Sequence, residues 1–319
     1  MKHFIKVLIL ALLAGLLSSC GPKTIAYREL QQGEKLQVLT TFFPLYCLTA
    51  NVAGDAADVT NLLPPGVGPH DYQFTPKDMR VLASGHVVIK NGLGLEAWLD
   101  RAIQNTGSGQ RPRTYEVTRA LKEDLIPFEG GHDHHDHDHS GHHHHHGEWD
   151  PHFWLNPTLA AKATTAIAKY LSERDPANAD TYQANAESYA KQLAELDSEL
   201  EEKLKPASEM SFVAFHDAFG YLVNRYSLNQ AGVVESVPDV EPSPKDLKRL
   251  YEKIRASEAK VIFTEPQFSA KLANQIADDL ELTIGILDPL ETGKFEKEGY
   301  VEAMRANADS LLKHLSSNE

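Results

Sequence analysis

Cysteine is nearly absent from this 319-residue chain: Cys20 and Cys47 are the two it has. That excludes a disulfide scaffold and a structural metal site built from three or four thiolates. Basic residues are also short, with 31 Lys plus Arg against 45 Asp plus Glu and a formal charge of -14. Phosphate backbones demand a basic footprint, so no nucleic-acid partner is expected. Beyond residue 20 no run is long and apolar enough to span a bilayer. No HExxH or comparable hydrolytic signature occurs, and no enzymatic activity is expected. What the chain has in excess is histidine, 16 in all, eleven of them between His132 and His152. Composition therefore points to metal before any motif is read.

The first residues, MKHFIKVLIL ALLAGLLSSC, have the form of a processing segment: Lys2 and Lys6, then an apolar run from Val7 to Leu17 too short for an ordinary span. Leu17-Ser18-Ser19-Cys20 resembles a bacterial lipobox, which makes 1–19 a lipoprotein signal peptide and Cys20 the lipidated residue. Residues 20–34 are then a tether, and a lipid anchor holds the body at a membrane surface. Loss of Lys2 and Lys6 takes the charge from -14 to about -16.

The remainder alternates short β-rich runs with helical patterns, which predicts an α/β protein of two lobes built from parallel-sheet βα units. Strands are expected at 36–40, 57–63, 86–90 and 113–117, and again at 211–215, 231–237, 260–265 and 282–288. Residues 178–205, rich in Ala, Glu, Leu and Lys and free of internal Gly or Pro, predict one long rigid helix between the sets. The expected division is an N-terminal lobe over 35–173, a linker helix over 174–206 and a C-terminal lobe over 207–319.

Two metal-binding features stand apart. The first is GGHDHHDHDHSGHHHHHGE, a mobile loop over 130–148 with no apolar residue to reward ordering. Its His132, His134, His135, His137, His139, His142, His143, His144, His145 and His146 suit weak, exchangeable capture of zinc, copper or nickel. The second is a set of isolated candidates: His70 in PPGVGPHDY, His152 in WDPHFWLNP, His216 after SFVAF and Asp288 after LTIGIL. Three of these four fall at the C-terminal ends of expected parallel strands, where open α/β sheets place ligands. Two come from each half, so a cation in the interlobe cleft would be held from both sides, and three imidazoles with one carboxylate fit tetrahedral zinc. Asp71, Asp150, Asp217 and Glu265 are candidates to orient the imidazoles. His86 and Cys47 read as buried structural residues and His314 as solvent-facing. Glu235, Asp239 and Glu241 lie in a Pro-broken stretch and read either as lining of the cleft or, more ordinarily, as an acidic solvated face.

Taken together, TFFPLYCLTANVAGD, LLPPGVGPHDYQFTPKD, WDPHFWLNP, VAFHDAFGYLVNRYSL, EPSPKDL and FTEPQFSAKLANQIA…ILDPL resemble the metal-binding cluster A-I solute-binding proteins of bacterial ABC importers, most closely their zinc branch of ZnuA- and AdcA-like lipoproteins. The similarity covers roughly 35–310. It implies ligands at His70, His152 and His216, with histidine rather than glutamate at the third position favouring zinc. It implies a fourth ligand at Asp288, a place that some zinc members fill with water or another carboxylate. It further implies two lobes bridged by a long helix and a His-rich loop.

The resemblance implies Zn(II) as cargo, extracytoplasmic capture by a lipid-anchored monomer and delivery to a cognate ABC permease in the cytoplasmic membrane. A manganese- or iron-binding transporter of the same fold and a surface adhesin are the alternatives it leaves. Imidazoles must be neutral to ligate, so affinity is expected to fall as pH drops through about 6–7. His216→Ala is expected to abolish high-affinity zinc binding, whereas deletion of 132–146 leaves one tight site; titration calorimetry on both variants checks this, and loss of the tight site in the deletion would contradict it.

Overall fold

The strand-forming runs pair into two separate four-stranded sheets in the computed structural model, which describes residues 26–70, 72–104, 111–128, 148–208, 210–235, 242–267 and 270–316. In the N-terminal half β1 (Leu36–Thr40), β2 (Ala57–Asn61), β3 (Val87–Lys90) and β4 (Arg113–Glu116) lie in the order β2-β1-β3-β4, all parallel. In the C-terminal half β5 (Ser211–His216), β6 (Asn229–Glu235), β7 (Val261–Thr264) and β8 (Thr283–Ile286) repeat the pattern as β6-β5-β7-β8. The inner strands β1, β3, β5 and β7 are buried almost throughout, as expected where layers cover both faces and apolar residues fill successive positions. The edge strands β2, β4 and β8 are partly exposed.

Helices connect the strands: α1 (Phe43–Ala53), α2 (Pro76–Ser84) and α3 (Ala97–Gln104) in the first half, and α6 (Gly220–Tyr226), α7 (Pro244–Ser257), α8 (Lys271–Leu280) and α9 (Gly299–Leu315) in the second. Their starts follow from local chemistry. Thr75 and Asp78 form a reciprocal capping box ahead of Pro76, and the Ser243 hydroxyl accepts from the Asp246 amide ahead of Pro244. Side-chain acceptors satisfy the first amides there, and proline has no amide to lose.

Between the halves run α4 (Pro157–Arg174) and α5 (Ala179–Leu204), the latter within one residue at each end of the long helix expected over 178–205. Tyr182, Ala186, Tyr189, Leu193, Leu196, Leu200 and Leu204 form its buried stripe. The helix is fastened to both sides. Asn185 Nδ2 donates to Val52 O in α1 at 3.0 Å. The Asp197 carboxylate accepts from Arg225 Nε at 2.8 Å and from the Tyr226 hydroxyl at 3.1 Å in α6. Arg305 of α9 pairs with Glu199 at 2.7 Å.

One apolar cluster runs from Leu36 through Trp154 and Leu196 to Phe212 and Tyr300, so the halves share a core. A smaller cluster of Val213, Leu250, Ile254, Ile262 and Ile276 fills the other face of the second sheet. After β8 the chain crosses back onto the first half. Trp154 Nε1 donates to Pro289 O at 2.8 Å, Cys47 Sγ to Glu296 O at 3.2 Å and Asn51 Nδ2 to Lys297 O at 2.8 Å. Gly293 lies so close to Phe43 that a Cβ there would meet its ring at 2.7 Å.

Several expectations are refined. Cys47 is buried, and burial pushes its thiol up to about 12, as suits an inert core residue. His86 is also buried; its Nδ1 accepts from Gln37 N–H at 3.0 Å, and its Nε2 lies 3.2 Å from Glu34. Residues 26–34 are not free tether: Tyr27 bridges to Arg111 and Arg28 pairs with Glu34 at 2.5 Å. His314 is half-buried, edge-on to Phe263 at 5.8 Å, rather than solvent-facing. Glu235 ends β6 and is buried, not part of a solvated loop, because the strand runs to that residue. Cys20, Asp71, Asp239, Glu241 and the histidines from His132 to His146 lie outside the described residues, among which no helix is long and apolar enough to cross a membrane.

Leu193 is fully buried where α5 packs, whereas Glu199 is exposed. Leu193→Ala is expected to cost about 2–5 kcal/mol in urea unfolding, and Glu199→Ala less than about 1 kcal/mol.

Candidate metal centre

His70 lies at the end of the Pro- and Gly-rich loop that follows β2. The loop is propped from behind: Trp98 Nε1 donates to Pro69 O at 2.8 Å, and the Trp98 ring packs against Tyr72 and Phe74 at 5.5 and 5.3 Å. His152 directly precedes the 3-10 turn Phe153–Leu155, whose three side chains are buried in the shared core. Both its backbone N–H and its Nδ1 contact Asp150 Oδ1, at 2.8 and 2.7 Å. An acceptor at Nδ1 keeps that nitrogen protonated and leaves Nε2 as the ligating atom. Asn91 Nδ2 steadies the same segment by donating to Pro151 O at 3.2 Å. His216 is the last residue of β5, with Nδ1 3.2 Å from Glu265 Oε1 at the end of the neighbouring β7.

These three imidazoles converge. Their ring centroids lie 5.7 Å (His70–His152), 5.3 Å (His70–His216) and 5.2 Å (His152–His216) apart. The carboxylate that joins them is Glu291, whose Oε1 is 2.6 Å from His70 Nε2 and 3.5 Å from His152 Nε2. Among the described residues, His70, His152, His216 and Glu291 form a group that could hold a metal ion, each offering one ligand atom, all within 4.8 Å of one another.

Asp288, the fourth position read from the sequence, is not in that group. Strand β8 ends at Ile286, so Asp288 already lies in the turn beyond it. Its carboxylate is engaged there by the Leu290 N–H at 2.8 Å, and its own N–H donates to Asn307 Oδ1 at 2.8 Å. Leu290 has a positive φ of 60°, a turn that carries the next side chain, Glu291, into the centre. Sequence reasoning missed Glu291 because a carboxylate three residues farther along the same turn has no distinguishing neighbour. The available signal was its position before Thr292-Gly293, where the chain must cross between the halves. Of the candidates to orient the imidazoles, Asp150 and Glu265 each contact a ring.

The electrostatics suit a cation. Burial alone would raise the Glu291 carboxyl, but His70, His152 and His216 hold it well below the usual carboxylate range. Burial alone would lower His152, but Asp150 and Glu291 outweigh it and raise the imidazole to about 10. Burial, reinforced by the Glu291 charge, keeps Glu265 well above its ordinary value, and the same two causes bring Asp288 to about 6 against the Leu290 N–H. Three nitrogens and one carboxylate oxygen at this spacing match the donors and coordination number of zinc, and nitrogen ligands favour it over manganese.

Comparison with known proteins agrees with this chemistry. Residues 38–314 match the family described as the periplasmic component A of the zinc-uptake complex. The high-affinity zinc uptake system protein ZnuA of Bacillus subtilis is 34% identical over 300 residues, covering 93% of this chain and 92% of its own. The zinc-binding lipoprotein AdcA of Streptococcus pneumoniae strain R6 is 32% identical over 301 residues; the match covers 93% of this chain but 59% of AdcA, so the chain spans little more than half of that relative. A Zn(II)-bound variant of AdcAII from Streptococcus pneumoniae superposes with a TM-score of 0.76 at 28% identity, over 89% of this chain and 100% of the other. With a family match over most of its length and a buried group of three histidines and a glutamate at its centre, this chain belongs to the component A family of zinc-uptake complexes.

Proposed function

We propose that the chain captures Zn(II) outside the cytoplasmic membrane and hands it to an ABC-type permease, with His70, His152, His216 and Glu291 as its ligands. The observation that carries this reading is the convergence of four donors from separate chain segments within 4.8 Å. The site binds and releases cargo rather than transforming it: four protein donors would complete a tetrahedral shell, leaving no open position for an activated water. Three neutral imidazoles and one carboxylate leave the zinc complex at about +1, and Asp150, whose Oδ1 lies 2.7 Å from His152 Nδ1, is the carboxylate placed to offset it. The Leu17–Cys20 pattern supports a lipid anchor at Cys20, and the histidines of 132–146 support a low-affinity antechamber that raises the local zinc concentration. Release requires at least one ligand to leave. Because the halves share α5 and an apolar core, modest tilting or rearrangement of the ligand segments serves better than wide opening.

The ligand set is tested by comparing two carboxylates three residues apart. Glu291→Ala is expected to weaken zinc binding by at least about tenfold, while Asp288→Asn changes it by less than about threefold. Titration calorimetry in competition with a chelator measures both, and the reverse order would return the fourth position to Asp288.

Protons provide a second test. His152 is raised to about 10, so the ion-free protein still carries this proton at pH 8. Zinc must displace it, so affinity rises with pH over a window reaching well above the 6–7 expected of ordinary imidazoles and falls as pH drops. At pH 8 about one proton should leave per zinc bound, as read from the binding enthalpy in buffers of different ionisation enthalpy. Release near zero at that pH would contradict the proposed state of His152.

A further inference from the structure

The segment carrying His152 is gripped by a side chain outside the ligand set. Residues 125–128 and 148–150 run antiparallel as a short stem: Pro127 bridges Trp149, Phe128 N–H donates to Glu148 O at 3.2 Å, and Asp150 N–H donates to Ile126 O at 2.9 Å. The stem ends at Asp150, whose carboxylate holds the ring and amide of His152. At this point the Tyr221 hydroxyl accepts from Ile126 N–H at 3.2 Å and donates to Asp150 O at 3.1 Å. Tyr221 is 2% exposed and lies on α6, the helix that follows His216. A second observation concerns its neighbour. A Cβ on Gly220 would lie 2.8 Å from Asp150 Oδ2 and 3.1 Å from Ile126 Cδ1, so the start of α6 presses against the stem as closely as glycine permits.

We propose that Tyr221 is a positioning residue of the metal centre: its hydroxyl pins both arms of the stem, and with them Asp150, to the helix behind His216, and so sets the separation of the His152 and His216 rings. The inference rests on the zinc-capture reading and adds a determinant of the release rate to it. His152 comes from a segment between the halves, whereas His216 is fixed by the second sheet. Their spacing therefore depends on a contact that joins the stem to the second half, and α6 supplies it. Loosening that contact frees the Asp150–His152 unit without unfolding either sheet.

The test is Tyr221→Phe in the otherwise intact chain, which keeps the buried ring and removes the hydroxyl. Zinc release into excess chelator is expected to become about three- to tenfold faster, the range for loss of one hydrogen-bonding group. The visible absorption of the Co(II)-substituted protein is expected to shift as the donor geometry changes. A role confined to stability would lower the unfolding midpoint while leaving release rate and Co(II) spectrum as in the parent, and that result overturns the proposal. Gly220→Ala, which pushes on Asp150 from the same side and spares the hydroxyl, is expected to shift the Co(II) spectrum too; should Tyr221→Phe not fold, an unchanged spectrum and rate in Gly220→Ala overturn it. A parent chain that takes up no zinc overturns the capture reading and this inference with it, whereas a binding parent matched by Tyr221→Phe overturns this inference alone.

Discussion

Three imidazole rings held between 5.2 and 5.7 Å apart in a buried site are unstable as a set of cations, and the Glu291 carboxylate among them is what makes the arrangement tolerable. A buried charge is costly unless paired, and here each partner answers the other: the histidines keep Glu291 ionised, and Glu291 helps His152 retain a proton. A divalent cation replaces that proton with one concentrated charge. The same carboxylate can thus serve the ion-free and the loaded protein, which lets the donors stay close together without metal.

That pairing depends on a chain path rather than on a motif. His70 and Glu291 come from opposite halves, and they meet because the segment after β8 crosses back over α1. Trp154 binds Pro289 O at 2.8 Å on one side of the crossing, and the Tyr300 hydroxyl binds Trp154 O at 2.6 Å on the other. The residues around His152 are therefore held by both halves. With α5 packed along the shared core, large separation of the halves would expose apolar surface at roughly 25 cal/mol per Å2, and small local motions are favoured.

Much of this was legible in residue order. The alternation of β-rich and helical runs indicated parallel sheets, and the unbroken run 178–205 appeared as α5 within a residue or two. His70, His152 and His216 stood out because each sits beside turn residues or buried aromatics at the edge of an ordered element. Glu291 did not. The strand pattern of LTIGILD ran past the true end of β8, and Asp288 took the place of a carboxylate that only the turn at Leu290 brings inward. His314 was misread, and Glu235 was left open between solvent and cleft, for a related reason: burial of a polar residue is decided by what packs over it, which its neighbours in sequence do not reveal.

By itself the sequence determined the class of fold, the kind of donor atoms available and the absence of thiolate or basic chemistry, because composition and periodicity act locally and survive without coordinates. Tertiary structure decided which carboxylate completes the donor group, which acceptors orient the imidazoles and how Tyr221 ties one half to the other. Those choices turn on contacts between residues as far apart as His70 and Glu291, 221 positions along the chain. Such contacts follow from the crossing of a segment and the φ of a single residue, quantities no local pattern encodes.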